Sequence, residues 1–400
     1  MKKLLLVLLC FPLLFSTCKK DENEPSDTGN NNGVGQGWEK TYQSDIWSCI
    51  GYSVKQTTDG GYIIVTSGSV IKTDDLGDTL WTRSGGGFDI ELTSDGGFII
   101  AGETNGYTTG NIDMLLIKVD ANGYQEWINT YAVLGKAVSV QQTNDGGYIA
   151  LGEGLVLIKT DANGNETWNH AYNYNYSYIV GKDVQQTLDG GYIITGYGGD
   201  DTYPFLIKTD GSGNQLWRRD FDNGETSEAQ SVQQTSDGGY IFTGGTHSFP
   251  ITNQKHAYLI KTDANGNTDW SKILFINGRQ KAYSVQQTFD GGYILAGYSE
   301  DFDGDDEDVF LVKTNINGEQ EWSRTFGGND DDRAYSVQRT NDGGYIITGY
   351  KDDDISGLVY LIKTDVNGDA TSTLNIPMNT SKRKSLKATD ILGREVKQTN

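Results

Sequence analysis

The chain is short of the residues that most often carry chemistry. Its three histidines, His170, His247 and His256, share no metal-ligand spacing. No His-Glu-x-x-His or Gly-x-Ser-x-Gly is present. The three cysteines, Cys10, Cys18 and Cys49, give no disulfide framework: Cys10 lies in a leader, Cys18 has another use, and Cys49 is left unpaired. Proline is scarce, at 5 residues. The run Leu4 to Leu14 is apolar but too short to span a membrane comfortably. Positive charge is in deficit, 32 Lys and Arg against 54 Asp and Glu, for a net −22. A surface this acidic repels nucleic acid and anionic headgroups, so no nucleic-acid partner is expected. It suits neutral or cationic partners or divalent cations, and its plainest role is solubility outside the cell.

What is abundant is glycine, at 52, and tyrosine, at 23, in 400 residues. With few helix-favouring runs, that balance reads as short strands joined by tight turns.

Lys2 and Lys3 ahead of the apolar run form a secretory leader, residues 1–17. Phe15-Ser16-Thr17-Cys18 resembles the lipobox of bacterial lipoproteins, with Phe15 where Leu is usual. The resemblance implies that Cys18 is diacylated and becomes the mature N-terminus, anchoring the chain to the outer membrane. Lys19-Lys20-Asp21-Glu22 is similar to the surface-export signal of lipoproteins in some Gram-negative bacteria, which implies exposure at the cell surface. The alternative is a plain signal peptide cleaved near Thr17 and a secreted product. Residues 18–37, rich in Asn, Gly, Ser and Asp, read as a flexible tether.

Internal periodicity then sets the fold. An Asp-Gly-Gly-aromatic tetrad begins at Asp59, Asp95, Asp145, Asp189, Asp237, Asp290 and Asp342. Before each stands Ser-Val-Gln-Gln-Thr or a variant (strand a). After it comes an apolar run such as Tyr192-Ile193-Ile194-Thr195-Gly196 (strand b). A second run ends in a recurring Lys, as in Leu206-Ile207-Lys208-Thr209-Asp210 (strand c). An Asn-Gly-like turn and a Trp strand (d) complete the unit. Strand b is hydrophobic on successive residues, which means burial on both faces. Four strands in about 50 residues make a propeller blade. The seventh unit lacks its own Trp strand, and a spare one, Trp38-Glu39-Lys40-Thr41-Tyr42, precedes the first. The expected fold is therefore an all-β, seven-bladed β-propeller over residues 38–369. Its four-stranded antiparallel blades close when the Trp38 strand completes the last of them. The recurring Lys is read as structural, its stem packed and its ammonium near an acid or a backbone oxygen.

The repeat resembles those of bacterial secreted and lipoprotein propellers, including quinoprotein-type repeats. The Asp-x-Asn-Gly-x-x-x-Trp hairpin resembles an Asp-box. These resemblances imply the fold; the cofactor-binding residues of the quinone enzymes have no counterpart here, and no cofactor is expected. In the tail, residues 370–400, Ala388 to Val396 resembles the first strands of the C-terminal sorting domain of a secretion system in gliding bacteria, without the later strands.

The a–b and c–d turns are nearly uniform, whereas the b–c and d–a connections vary. The variable face and the channel mouth within it are the candidate site. Three features mark it. Tyr172, Tyr174, Tyr176 and Tyr178, spaced by two, would put four rings on one side of an extended segment, where sugars stack; the simpler reading is a strand packed on its neighbour. Trp47, outside the repeat, joins them as a ligand-binding candidate. Asp301, Asp303, Asp305 and Asp308, around Gly304, could wrap Ca²⁺, although the closing Glu of a calcium loop is absent and a solvated acidic loop is simpler. The Gln pairs of strand a would line the channel as solvated amides or a hydrogen-bonded ring. No catalytic constellation stands out. The leading function is a monomeric surface binding module for a glycan. The alternatives are an enzyme acting on extracellular polysaccharide and a rigid platform for an envelope protein.

Overall fold

The Asp-Gly-Gly tetrads build the a–b turns, and each residue has its own part. In the computed structural model, Asp59 Oδ1 accepts from Thr57 Oγ1 at 2.5 Å and from Gly61 N at 3.1 Å, closing the first turn on itself. Gly60 turns the chain at φ +90°, where a side chain is disfavoured. Gly61 makes room: a Cβ there would stand 2.1 Å from Thr73 O and 2.7 Å from Lys72 Nζ. Lys72 fills that space from strand c, its ammonium 2.9 Å from Asp59 Oδ2 and donating to Thr73 O at 2.8 Å. The same Lys–Asp pair recurs in every blade, at 2.8–2.9 Å. The recurring Lys is thus a blade-internal strut.

The structure describes residues 18–20, 37–44, 49–105, 112–174, 178–199, 202–221, 226–247, 255–274, 276, 278–300, 306–352 and 357–370. All their regular elements are strands, in seven antiparallel sheets. Blades 1 to 6 run Gly51–Ser84, Asp89–Leu134, Ala137–Ala171, Ile179–Asp220, Ser227–Ile273 and Arg279–Phe326, each with strands a to d in sequence order. Blade 7 takes strands a to c from Asp332–Arg339, Tyr345–Asp352 and Gly357–Thr364, and its outer strand from Trp38–Ser44. Trp38 pairs with Lys363 and Tyr42 with Val359, so the ring closes as the repeat count required. The short strand Cys18–Lys20 pairs on the outer edge of that closing strand.

The Trp of each strand d is the wedge between blades. Trp38 meets Tyr62 edge-on at 5.9 Å, Trp217 meets Tyr240 at 5.9 Å, and Trp270 meets Tyr293 at 5.8 Å, each pair spanning two blades. The ring also covers the c–d turn glycine of the next blade: a Cβ on Gly77 would lie 2.6 Å from Trp38, and one on Gly123 2.6 Å from Trp81. Strand b is buried along its length, Tyr62 to Thr66 in blade 1 without exception, as stacking on both faces demands.

One expectation is corrected. Cys49 is 2 % exposed and disulfide-bonded, its partner sulfur lying outside the described side chains. Cys10 lies in the leader-like run and Cys18 in the lipobox-like segment, so the sequence pattern offers Cys49 no partner even though its sulfur is paired in the fold.

Candidate functional site

Seven strands a enclose a central channel that holds a polar cavity of about 220 Å³. Four of the strands have the form small-x-Ser/Asp-Val-Gln-Gln, as in Ala137 to Gln142, and the other three depart from it at Lys55, at Ile90, Glu91 and Leu92, and at Arg339; each position has a distinct role.

Toward the repeated-turn face, the two glutamines bind neighbouring blades. The first glutamine accepts from the next blade's backbone: Gln186 N donates to Gln141 Oε1 at 2.6 Å and Gln234 N to Gln185 Oε1 at 2.7 Å. The second reaches back to the preceding turn, with Asn144 N donating to Gln186 Oε1 at 2.9 Å. The glutamines therefore form a hydrogen-bonded inter-blade ring. Lys55 and Glu91 replace amides in blades 1 and 2 and pair at 2.8 Å. Burial works against the Lys55 ammonium, but Glu91 and Asp89 outweigh it and hold its pKa above the ordinary lysine value.

The middle tier is serine except for Asp89 and Asp183. Asp89 accepts from Ser53 Oγ at 2.9 Å and Val140 N at 2.9 Å; Asp183 accepts from Ser139 Oγ at 3.0 Å and Val232 N at 2.9 Å. Burial pushes the Asp89 carboxyl up to about 6 and raises that of Asp183. Both are occupied in joining blades.

The upper tier opens on the variable face, and here the repeat yields to variety. The x positions are Tyr52, Phe88, Val138, Lys182, Gln230, Tyr283 and Tyr335. In six blades this residue is the extra one of a β-bulge: pairing skips from Gly51 to Ser53, Ala137 to Ser139, Gly181 to Asp183, Ala229 to Ser231, Ala282 to Ser284 and Ala334 to Ser336. A bulge frees its residue from the ladder and re-aims the side chain; these line the channel. Four of the seven are aromatic and run as a continuous arc. Phe88 to Tyr52 is 5.2 Å, Tyr52 to Tyr335 is 5.7 Å, and Tyr335 to Tyr283 is 5.0 Å between ring centres. Tyr298 extends it at 6.1 Å from Tyr283.

Cations flank the arc. Lys136 lies 4.5 Å over Phe88, Lys281 lies 4.9 Å over Tyr283, and Arg333 lies 5.5 Å over Tyr298. Lys182 stands in the ring itself, 5.6 Å from Tyr197, with its pKa lowered by burial. Burial, reinforced by Lys255, brings Lys281 down to about 8. Burial disfavours the Glu228 carboxylate, yet Lys281 and Lys255 hold its pKa at about 2. The aromatic-lined mouth thus gathers amines and a guanidinium together with their acids: Lys136 stands 3.8 Å from Glu153, Lys281 and Lys255 pair with Glu228, and Arg333 pairs with Glu307.

The tyrosine ladder does not share one face. Tyr172 is buried and donates to Gly213 O at 2.7 Å, as part of the blade 3–blade 4 core. Tyr174 bonds Gln215 and lies under Arg218, 4.0 Å from the guanidinium. Tyr178 is exposed beside Tyr197, at 6.1 Å. The described segment leaves strand geometry after Ala171, so period-two alternation does not apply. Tyr176, Trp47, Asp301, Asp303 and Asp305 lie outside the described residues. Asp308 stands at the start of strand c in blade 6, where its carboxylate and that of Asp332 occupy the space that a Cβ on Gly327 would need. Among the described residues no group of three or more His, Cys, Asp or Glu is placed to hold a metal ion. The mouth residues went unnamed at the sequence level, although a signal was there: x is the position of strand a that changes chemical type from blade to blade.

No protein-family model matches the chain, and no curated protein matches it. Solved structures do. YCF48 from Cyanidioschyzon merolae is 13% identical, with a TM-score of 0.52 over 82% of this chain and 98% of that one. BamB from Moraxella catarrhalis is 16% identical, with a TM-score of 0.44 over 78% of this chain and 99% of that one. A protein of unknown function from Bacteroides caccae is 15% identical, with a TM-score of 0.46 over 68% of this chain and 91% of that one. At 13% identity the likeness to YCF48 bears on the fold alone, and the propeller itself rests on the seven-sheet ring.

Proposed function

We propose that the protein is a binding module that seats a glycan on the upper tier of its channel. The observation that carries this reading is the bulge ring: six blades each spend one unpaired residue to aim a side chain into the mouth, three of those six are tyrosines, and Phe88 of the remaining blade continues their arc. Flat rings in an arc stack on the C–H faces of sugars. Lys136 and Lys281 are already paired with Glu153 and Glu228, whereas Lys182 has no ion pair among the described residues and favours a glycan that carries a carboxylate. Catalysis is the weaker reading, because the channel carboxylates Asp89 and Asp183 are held by serine and backbone donors. Tyr335→Ala is the test: it is expected to weaken glycan binding about three- to tenfold, the value of one aromatic contact. Equal binding by variant and parent would remove the arc from the account.

The same reading places the chain at the bacterial outer membrane, anchored through Cys18. A Cys18 sulfur in a thioether to diacylglycerol cannot also pair with Cys49, and the only other cysteine, Cys10, is in the leader. Lipidation of Cys18 and an intramolecular Cys49 disulfide therefore exclude one another in a chain cleaved before Cys18.

A further inference from the structure

Beyond the Trp wedge, strand d carries a second one, four residues later. In six blades it is Tyr42, Tyr131, Tyr172, Phe221, Leu274 or Phe326. Each reaches the third residue of strand b and the apolar side of strand c in the next blade. Tyr131 clusters with Ala150 and Ile158, and Tyr172 with Ile194, Phe205 and Ile207. In blade 1 the same position is Gly85, at φ +113°, where an added Cβ would find only Ile117 Cδ1, at 4.0 Å. The wall is still in place: Ile100, Leu115 and Ile117 of blade 2 stand where the sister interfaces have their wedge-binding residues. They line an open cavity of about 600 Å³. Its wall also includes Val119, at a position that is Thr in the other six blades.

Three of the six wedges are tyrosines, and all three make the same bond. Tyr42 donates to Gly77 O at 2.7 Å, Tyr131 to Gly164 O at 2.6 Å, and Tyr172 to Gly213 O at 2.7 Å. The acceptor is always the glycine of the next blade's c–d turn. The corresponding glycine of blade 2 is Gly123, and it lines the cavity.

From this internal template we infer that the blade 1–blade 2 cavity binds a phenolic ring brought by a ligand. The ring takes the place of the missing wedge against Ile100, Leu115 and Ile117, and its hydroxyl donates to the Gly123 carbonyl. The volume is that of an ordinary small-molecule site, about 300–1,000 Å³, and admits a ring with its substituents. Arg83 and the exposed Tyr124, 4.8 Å apart, form one side of the entrance. The phenol can be that of a free aromatic compound or of a tyrosine in a peptide, since both present the same group. The inference stands on the repeat pattern and not on the glycan reading.

Calorimetric titration of the full chain with 4-methylphenol, with toluene and with N-acetyl-Gly-Tyr-Gly-amide tests it. Saturable one-site binding of 4-methylphenol is expected, with toluene about three- to tenfold weaker for want of one hydrogen bond. Leu115→Trp, which fills the cavity, should abolish binding while leaving the β-sheet circular dichroism unchanged. Val119→Thr, which restores the residue of the sister blades, should weaken binding a few-fold and decides the matter if the Trp variant fails to fold. The tighter of phenol and peptide identifies the source of the ring. Three results would overturn the inference: no saturable phenol binding, binding undiminished in both variants, or toluene equal to 4-methylphenol.

Discussion

Asp189→Asn offers a quantitative test of the strut that repeats in every blade. The carboxylate accepts from Thr187 Oγ1 at 2.5 Å and Gly191 N at 3.0 Å, and it pairs with the buried ammonium of Lys208 at 2.9 Å. Burial alone would raise its pKa, but the Thr187 and Lys208 bonds bring it down to about 2 from 3.8. Unscreened, such a shift is worth ~2.5 kcal/mol. The side chain is 60% exposed, so solvent screening cuts this to about 1 kcal/mol. Asparagine also leaves Lys208 with Thr209 O but no carboxylate, adding about 1 kcal/mol for a buried charge short of a partner. A total of ~2 kcal/mol lowers Tm by about 3 °C in a ring of this length. Because the folded pKa lies below the unfolded one, the carboxylate's contribution is complete above about pH 4 and is lost as the pH falls toward 2. Thermal melts of parent and variant should therefore differ at pH 7 and converge near pH 2. Asp290→Asn should cost less, since Lys313 keeps Glu321 at 2.9 Å. A gap that ignores pH, or equal losses in the two variants, would refute the reasoning.

Three more outcomes follow from the same geometry. Trp38→Ala should destabilise the ring by about 3–5 kcal/mol in urea melts, as much as Trp217→Ala, if the closing strand is wedged like any other; a near-neutral Trp38→Ala would mean that the ring is not closed there. Asp332 is 1 % exposed, and burial, with Asp308 and Asp330 adding, raises its carboxyl to about 7 against the pull of Lys351. The folded state then holds a proton that the unfolded chain gives up near pH 4, so parent stability should fall between about pH 4 and 7 relative to Asp332→Asn, by about 2–4 kcal/mol; parallel urea profiles would contradict this. Intact-mass analysis of the mature monomer, with and without reductant, should show either a diacylglycerol adduct or an intramolecular Cys49 disulfide that gains two hydrogens on reduction, but not both; a single monomer species carrying both would break the stated exclusion.

Much of the fold was legible because the repeat writes each contact seven times. The tetrad, the Lys and the Trp recur together because Asp59, Lys72 and Trp38, and their counterparts, touch across one turn or one blade interface. The missing seventh Trp strand and the surplus one at Trp38 gave the closure by counting. The site was less legible, for two reasons. Tyr172 carries the spacing of a surface ladder but serves as a core wedge, a role visible only when strand d is aligned across blades. The channel mouth depends on bulges, and a bulge leaves no local signature when its residue can be Tyr, Val, Lys or Gln. Only the contrast between a variable x and its invariant neighbours marks it. Gly85 was hidden in the same way, as an exception to a position not yet recognised as a rule.

The measurement closest to the central claim is a binding screen of the purified protein against neutral and uronate-containing polysaccharides at low and high salt. The account predicts saturable binding to an acidic glycan that weakens as salt rises and is reduced in Tyr335→Ala. Binding to no glycan in the panel, or to glycans regardless of the arc and the flanking amines, would contradict it.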